Sequence, residues 1–321
     1  MQNKKCAISV VIPNYNGLQY IERCLESLKK QSFQEYEVIF VDNGSKDGSV
    51  EAVRENYPWV RLICLSENTG FCGAVNAGIR ASEAEYVVLL NNDTEADPDF
   101  LKELYRGISE KSKAFSGAAM MLQFQERDKI DDAGNFYNAL GWAFARGKGK
   151  SEKKYQKECQ IFSSCGGAAI YRRELLEKLG CFDEEHFAYL EDTDLGYRAK
   201  ISGYENWYFP KAKVFHVGSG TSGSRYNQFK IRYSSRNNIY MIYKNMPFFQ
   251  IVLNFPFLVV GFGIKLLFFT LKGYGKEYAA GIKNGFFLCK KEKKYPFSWK
   301  NAGNYCKIQW QLWVNIFRRF L

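Results

Sequence analysis

Residues Tyr86–Thr94, Y-V-V-L-L-N-N-D-T, form a short apolar run that stops at a carboxylate. Val87, Val88, Leu89 and Leu90 show no polar alternation, the pattern of a strand buried on both faces of a parallel sheet. Asn91, Asn92 and Asp93 then fall at the carboxyl end of that strand, the edge where open α/β sheets bind ligands. An acidic residue there can hold a divalent cation through a hard oxygen, and the cation can clamp a diphosphate. Asn and Asp also favour turns on their own account, so the rest of the chain has to supply the context.

The preceding residues repeat the pattern. Ile8–Ile12 is a buried-strand candidate closed by Pro13-Asn14-Tyr15-Asn16-Gly17. A helix follows, with Ile21, Leu25 and Leu28 on one face and Asn16 as its expected cap. Glu37–Val41 ends at Asp42-Asn43-Gly44-Ser45, a helix is expected over Asp47–Tyr57, and Arg61–Leu65 ends at Ser66-Glu67-Asn68-Thr69-Gly70. Phe71–Ala81 reads as a glycine-containing helix leading into the Tyr86 strand. Strand alternating with helix is the rhythm of βαβ units. No G-x-G-x-x-G or G-x-x-x-x-G-K-[ST] opens the first helix, so a bound nucleotide would need a carboxylate and metal rather than a glycine cradle.

The middle of the chain carries a second constellation. Ser164–Ala169 and the following I-Y-R-R-E-L-L-E-K-L-G read as a strand entering a helix. Glu191, Asp192 and Asp194 then crowd a helix entrance. Acidic residues in a first turn complement the helix dipole; a carboxylate held beside like charges also has its ionisation perturbed, which suits a general base. His216, one of only two histidines, follows a short apolar strand. A lone histidine is more often structural, but the Asn-Asn-Asp site offers one carboxylate and needs a second ligand.

Taken together, V-V-I-P-N-Y-N-G at 10–17, V-D-N-G-S at 41–45, E-N-T-G-F-C-G-A-V-N-A-G at 67–78 and L-L-N-N-D-T at 89–94 resemble the family 2 glycosyltransferases. G-C-F-D-E at 180–184, E-D-T-D-L at 191–195, V-F-H-V-G-S at 214–219 and R-N-N at 236–238 extend the likeness over residues 7–245. It points to the inverting enzymes of the GT-A fold and, within them, to a bacterial rhamnosyltransferase-like branch. The implied architecture is an α/β, Rossmann-like, mostly parallel central sheet flanked by helices over residues 1–245, followed by a helical region over 246–321.

The resemblance also implies roles. Pro13, Asn14 and Tyr15 would line the base and ribose, and Asp42 would accept a hydrogen bond from the pyrimidine. Asn68, Gly70 and Asn76 would approach the ribose and diphosphate. Asn91-Asn92-Asp93 stands where such enzymes carry D-x-D, so Asp93 would bind Mn²⁺ or Mg²⁺ with His216 as second ligand. Asn91 replaces the first Asp of that motif, and an amide is the poorer ligand. Asp192 matches the catalytic base, with Glu191 shaping the acceptor site. Cys181 replaces a glycine often found before Phe-Asp-Glu, and Arg236 and Asn237 match a late motif of unassigned role. The implied donor is a dTDP- or UDP-sugar, dTDP-rhamnose first, and the acceptor a lipid-linked glycan of a bacterial surface polysaccharide.

Charge sets the last third apart. From Tyr226 to Leu321 there are 16 Lys and Arg against 2 Asp and Glu, so the overall charge of +11 resides there and the remainder is slightly acidic. Phe248–Leu271 is the most apolar window, interrupted by Gln250, Asn254, Pro256, Gly261, Gly263 and Lys265, and lysines with Trp299, Trp310 and Trp313 follow it. Apolar-aromatic and basic faces together suit helices in the headgroup region of an anionic membrane. A true membrane span and a buried core helix are the alternatives; nucleic acid gives no reason for the apolar block. The amino-terminal M-Q-N-K-K-C-A-I-S-V-V-I-P has no signal-peptide core, and the nine scattered cysteines form no zinc or disulfide framework. The expected location is the cytoplasmic face of the plasma membrane. Two rival classes remain: a sugar-nucleotide pyrophosphorylase, which would need a basic glycine-rich loop where Pro13–Gly17 has no basic residue, and a non-catalytic glycan-binding relative.

Overall fold

The computed structural model describes residues 6–218, 226–290 and 293–319. Ser219 of the V-F-H-V-G-S segment, Lys291 of the basic tail and the first five residues lie outside them. The chain opens with β1 (Ile8–Asn14), α1 (Leu18–Lys29), β2 (Tyr36–Asp42), α2 (Ser49–Asn56), β3 (Arg61–Cys64), α3 (Gly70–Ala81) and β4 (Tyr86–Leu90). Then come β5 (Thr94–Ala96), α4 (Phe100–Ser109), β6 (Ala114–Gln123), β7 (Ile130–Asp132), β8 (Asn135–Tyr137), β9 (Ala143–Ala145) and β10 (Cys159–Ile161). They are followed by β11 (Ala168–Arg172), α5 (Arg173–Lys178), α6 (Glu191–Ile201), β12 (Glu205–His216) and α7 (Gln228–Asn245). The carboxyl-terminal helices are α8 (Phe248–Leu271), α9 (Gly275–Phe287) and α10 (Ala302–Arg318).

One sheet runs in the order β10-β12-β6-β11-β4-β1-β2-β3. The expected parallel arrangement occupies β3-β2-β1-β4. Beyond β4 the sheet becomes mixed, because β11 inserts antiparallel between β4 and β6. All five residues of β4 are buried: Val88 and Leu90 enter the core under α1 and α4, Val87 and Leu89 the core under α3 and α6. This two-sided burial explains the unbroken apolar run. The close approach of α3 to the sheet requires Gly78, where a Cβ would run into Val11.

Parallel register sets Asn14 beside Asp42 at one edge. The expected cap of α1 does not form. Asn16 sits at φ +50° and its Oδ1 accepts from Lys46 N at 2.9 Å, so it ties two edge loops together, and Gly17 precedes the helix without a side-chain cap.

Helices α8 and α10 share a core with the hairpin β8–β9 and α6, in which Tyr137, Phe162 and Tyr197 meet Leu258, Tyr305 and Leu312. On α8 the polar residues face inward. Gln250 accepts from Tyr197 Oη at 2.7 Å, and Asn254 exchanges two 2.8 Å hydrogen bonds with Gln309 of α10. Gly261 lets the helix lie on Leu140. The outward face, including Val252, Leu253, Phe255, Val259, Val260, Ile264 and Leu267, is exposed and apolar. Gln250, Asn254 and Gly261 therefore do not interrupt that face; they belong to the opposite, packed one.

Candidate active site

The carboxyl ends of β1 and β4 frame a cavity of about 1050 Å³. Pro13, Asn14, Tyr15, Asn68, Gly70, Asn91, Asn92, Asp93, Glu191, Asp192 and His216 all line it. Most of the side chains singled out in the sequence thus converge on one space, although more than a hundred residues separate Asp93 from His216.

That long-range meeting has a simple cause. β5 follows the Asn-Asn-Asp turn and pairs antiparallel with the end of β12, setting Thr94 opposite His216, and Val217 N donates to Asp93 O at 3.0 Å. His216 Nε2 consequently lies 3.2 Å from Asp93 Oδ1, and its Nδ1 lies 2.8 Å from Asp131 Oδ2. Burial opposes charge on the ring, but the hydrogen bonds and charges of Asp131 and Asp93 push its pKa up to about 9. Asp131, with Lys148 Nζ at 2.6 Å from its other oxygen, is held down to about 2 by His216 and Lys148 against the effect of burial.

The donor set fits a divalent cation once Nε2 of His216 releases the proton that it donates to Asp93. A carboxylate and an imidazole nitrogen face each other at the cavity wall, and the second ring nitrogen is fixed by a carboxylate, the outer partner metal-ligating histidines usually have. Among the described residues no cluster of three or more His, Cys, Asp or Glu forms a closed cage. A two-residue set suits a cation that shares its coordination with substrate phosphates.

Asp192 stands at the entrance of α6. Its Oδ2 accepts from Asn135 Nδ2 at 2.9 Å and its Oδ1 from Thr193 Oγ1 at 3.1 Å. Glu191 beside it is 9% exposed and its Oε2 has no hydrogen-bond partner among the described residues. Burial raises the pKa of both carboxyls, and the Asp192 charge raises Glu191 further. The third acidic residue of the turn is structural: Asp194 is fully buried, with Arg198 at 2.8 Å and Lys244 at 3.0 Å.

Two expected site residues do not reach the cavity. Asp42 is 1% exposed and lies behind the wall, where Asn14 Nδ2 and Ser45 N donate to its two oxygens at 2.9 Å. It orients Asn14, whose Oδ1 accepts from Asn92 at 2.6 Å, instead of facing a base. Asn76 is spent on the far side of α3, donating to Phe182 O and Glu184 Oε1 and accepting from Phe182 N. It staples the Phe182 turn to the helix.

Several contributors lack a sequence signal. Asp131 and Asn135 come from three-residue strands, too short for periodicity. Asn43 lines the cavity and braces the 68–70 turn, donating to Asn68 Oδ1 and Gly70 O and accepting from Thr69 N. Phe187, Tyr189 and Phe229 form an aromatic wall, with Tyr233 packed on Phe229 at 4.5 Å between centroids. The R-N-N segment supports that wall. Asn237 Nδ2 donates to the carbonyls of His186, Ala188 and Tyr189, and Arg236 Nη2 to those of Glu185 and His186. The braced loop holds Phe187, Tyr189 and Leu190 at positive φ, a conformation unfavourable for such residues without support. Cys181 too has φ +53°, which explains the preference for glycine there.

The model of the family described as Glycosyl transferase family 2 matches residues 9–180. An N-acetylglucosaminyl-diphospho-decaprenol L-rhamnosyltransferase of Mycobacterium tuberculosis is 27% identical over 67% of this chain and 78% of its own. S. aureus TarS 1-349 in complex with UDP-GlcNAc superimposes with a TM-score of 0.59 at 20% identity, over 89% of this chain and 82% of that one. GalNAc-T7 with UDP, GalNAc and Mn²⁺ gives a TM-score of 0.60 at 17% identity, over 75% of this chain but only 48% of that one. At such identities the structural likeness establishes the fold.

Proposed function

The chain belongs to glycosyl transferase family 2, and on that premise we propose that it is an inverting enzyme that moves a sugar from a nucleoside diphosphate to a lipid-linked glycan at a membrane surface. The observation that carries this reading is the presence of Asp192, a carboxyl with raised pKa, in the same cavity as the Asp93–His216 pair. A base and a cation site that share one cavity are what a single displacement at a sugar carbon requires.

In this reading Asn14, Asn68 and the 68–70 turn receive the nucleotide, and Asp93 and His216 would hold Mn²⁺ or Mg²⁺. The cation, when bound, neutralises the diphosphate leaving group. Asp192 takes the proton of the acceptor hydroxyl as that oxygen bonds to the anomeric carbon from the opposite face. The bond from that carbon to the diphosphate oxygen breaks, and its electrons leave with the nucleoside diphosphate. Asn135 orients Asp192, the uncompensated Oε2 of Glu191 awaits a hydrogen-bonding acceptor group, and the aromatic wall offers ring faces to sugar C–H groups.

Residues 246–321 form the membrane-associating region. The outward face of α8 is apolar, whereas its inward stripe packs in turn against α10 at Asn254, the β8–β9 hairpin at Gly261 and α9 at Phe269. A helix so engaged lies on the body of the enzyme, which favours a monotopic seat at the cytoplasmic face over an independent span. The GalNAc-T7 complex with Mn²⁺ supports the cation, and the mycobacterial relative supports a lipid-diphosphate acceptor and rhamnose as the first sugar to test, offered as dTDP-rhamnose ahead of UDP-hexoses. Release of nucleoside diphosphate across a panel of dTDP- and UDP-sugars tests the assignment: turnover of dTDP-rhamnose in preference to UDP-hexoses supports it, and turnover of a UDP-hexose alone replaces the donor.

A further inference from the structure

A second cavity, of about 800 Å³, lies beside the first, between the β9 end of the hairpin, β10 and the carboxyl end of α10. Arg146, Lys148, Lys150, Arg318 and Arg319 line it, and no carboxylate does among the described residues. Its guanidinium groups rest on rings: Arg146 on Tyr155 at 4.7 Å, Arg318 on Phe136 at 5.2 Å and Arg319 on Phe144 at 5.6 Å. Stacking fixes the planes of these cations, and apart from Arg318 Nη1, which donates to Asn315 Oδ1 at 3.3 Å, the three side chains make no hydrogen bond among the described residues. Arg146 Nη1 is shielded from solvent and has no hydrogen-bond partner among the described residues. A buried guanidinium N–H without an acceptor carries a desolvation cost that an anionic ligand removes.

Location narrows the ligand. Asn135, which holds Asp192, is the direct cross-strand partner of Ala145, the neighbour of Arg146. Lys148 reaches Asp131 and thereby the His216 ring. Gln123, which lines this cavity, is the cross-strand partner of His216, which lines the active-site cavity. On its other side the cluster ends α10 next to the exposed Phe317, and Asn254–Gln309 pairs that helix with membrane-facing α8. A cationic cavity between the catalytic carboxylate and an apolar helix face suits a phosphate carried by a lipid.

We propose that this cavity binds the diphosphate of the lipid-linked acceptor, with Arg146, Arg318 and Arg319 as its main contacts. The assignment rests on the glycosyltransferase reading given above. It makes the three arginines determinants of acceptor affinity that do not touch the donor.

The test uses the full chain and the triple variant Arg146→Gln, Arg318→Gln, Arg319→Gln, with the single variant Arg319→Glu as a second probe that leaves the ring-stacked interior arginine in place. Binding is measured to phosphatidylcholine vesicles alone, doped with a polyprenyl diphosphate, or doped with phosphatidylglycerol. The polyprenyl diphosphate should strengthen wild-type binding by at least about tenfold, as expected for several charge-assisted contacts, and both variants should reduce that gain. A phosphatidylglycerol gain that the variants reduce as much as the polyprenyl diphosphate gain would overturn the diphosphate assignment, and no gain with the polyprenyl diphosphate, or an undiminished gain in both variants, would overturn the site. Acceptor-independent hydrolysis of the nucleotide sugar separates this from the underlying reading: unchanged hydrolysis with a raised acceptor KM supports the cavity, and unchanged hydrolysis with an unchanged acceptor KM refutes it alone. A wild type that hydrolyses and transfers no nucleotide sugar would refute the enzyme reading, while the vesicle measurement still decides whether the cavity holds a diphosphate.

Discussion

Asp131 Oδ2 lies 2.8 Å from Nδ1 of His216, on the side of the ring opposite Asp93. A carboxylate in that position keeps Nδ1 as the donor and turns Nε2 toward the cavity. Asp131→Asn should therefore weaken Mn²⁺ binding by about 10- to 100-fold, the usual effect of losing an outer-shell carboxylate. Electron paramagnetic resonance of free Mn²⁺ reads this directly, and an unchanged affinity would show that the ring needs no such anchor.

The acid limb of the rate profile reports Asp192. A base works ionised, so activity is complete above its pKa and is lost as pH falls through it. Burial raises the Asp192 pKa, which puts that loss at higher pH than for an ordinary carboxylate. Asn135 donates to the ionised form; Asn135→Ala should move the limb to still higher pH in kcat/KM. A limb that stays in place, or shifts to lower pH, would contradict this assignment of the base.

Asn237 makes three hydrogen bonds to carbonyls of one loop. Asn237→Ala leaves those acceptors without their donor and should cost about 1–3 kcal/mol, seen as a lower Tm. Because the loop carries Phe187 and Tyr189 into the cavity wall, the acceptor KM should rise more than the donor KM. A larger rise in the donor KM would place the wall on the donor side.

Charge on the outer face of α8 tests the membrane seat. Val259→Asp adds a carboxylate to an exposed apolar surface; at a solvated site it changes stability by no more than about 0.5 kcal/mol, and at a lipid-facing site it costs about 2.5–3.5 kcal/mol of partitioning. Flotation with anionic vesicles should fall sharply while Tm holds. Asn254→Leu should do the reverse, lowering Tm by stranding Gln309 and sparing partitioning.

The strands were legible because β4 is an unbroken apolar run, and β1 and β2 are apolar but for Ser9 and Glu37, each ended by a polar turn, the imprint of burial on two faces. Asp93 and His216 were legible because a carboxylate and a rare histidine followed such runs, and Asp192 because three carboxylates crowd one helix entrance. Asp131 and Asn135 were not, since their strands are three residues long and become neighbours of the site only through pairing. Asn76 and Asp42 lie within recognisable segments, but which way an amide or carboxylate turns depends on the loop it meets, Phe182 for one and Asn14 for the other. The polar residues of α8 read as interruptions in a linear window and become a packed stripe once the helix is wound.

The most direct measurement is transfer from the donor that the wild type turns over, with a lipid-diphosphate-linked sugar as acceptor, for wild type and Asp192→Asn in Mn²⁺ or EDTA, and with the anomeric configuration of the product determined. We expect an inverted product, loss of turnover in EDTA, and a fall of about 10²- to 10⁴-fold for Asp192→Asn with donor binding retained. A retained configuration, or an Asp192→Asn enzyme that transfers at the wild-type rate, would contradict the single displacement with Asp192 as its base.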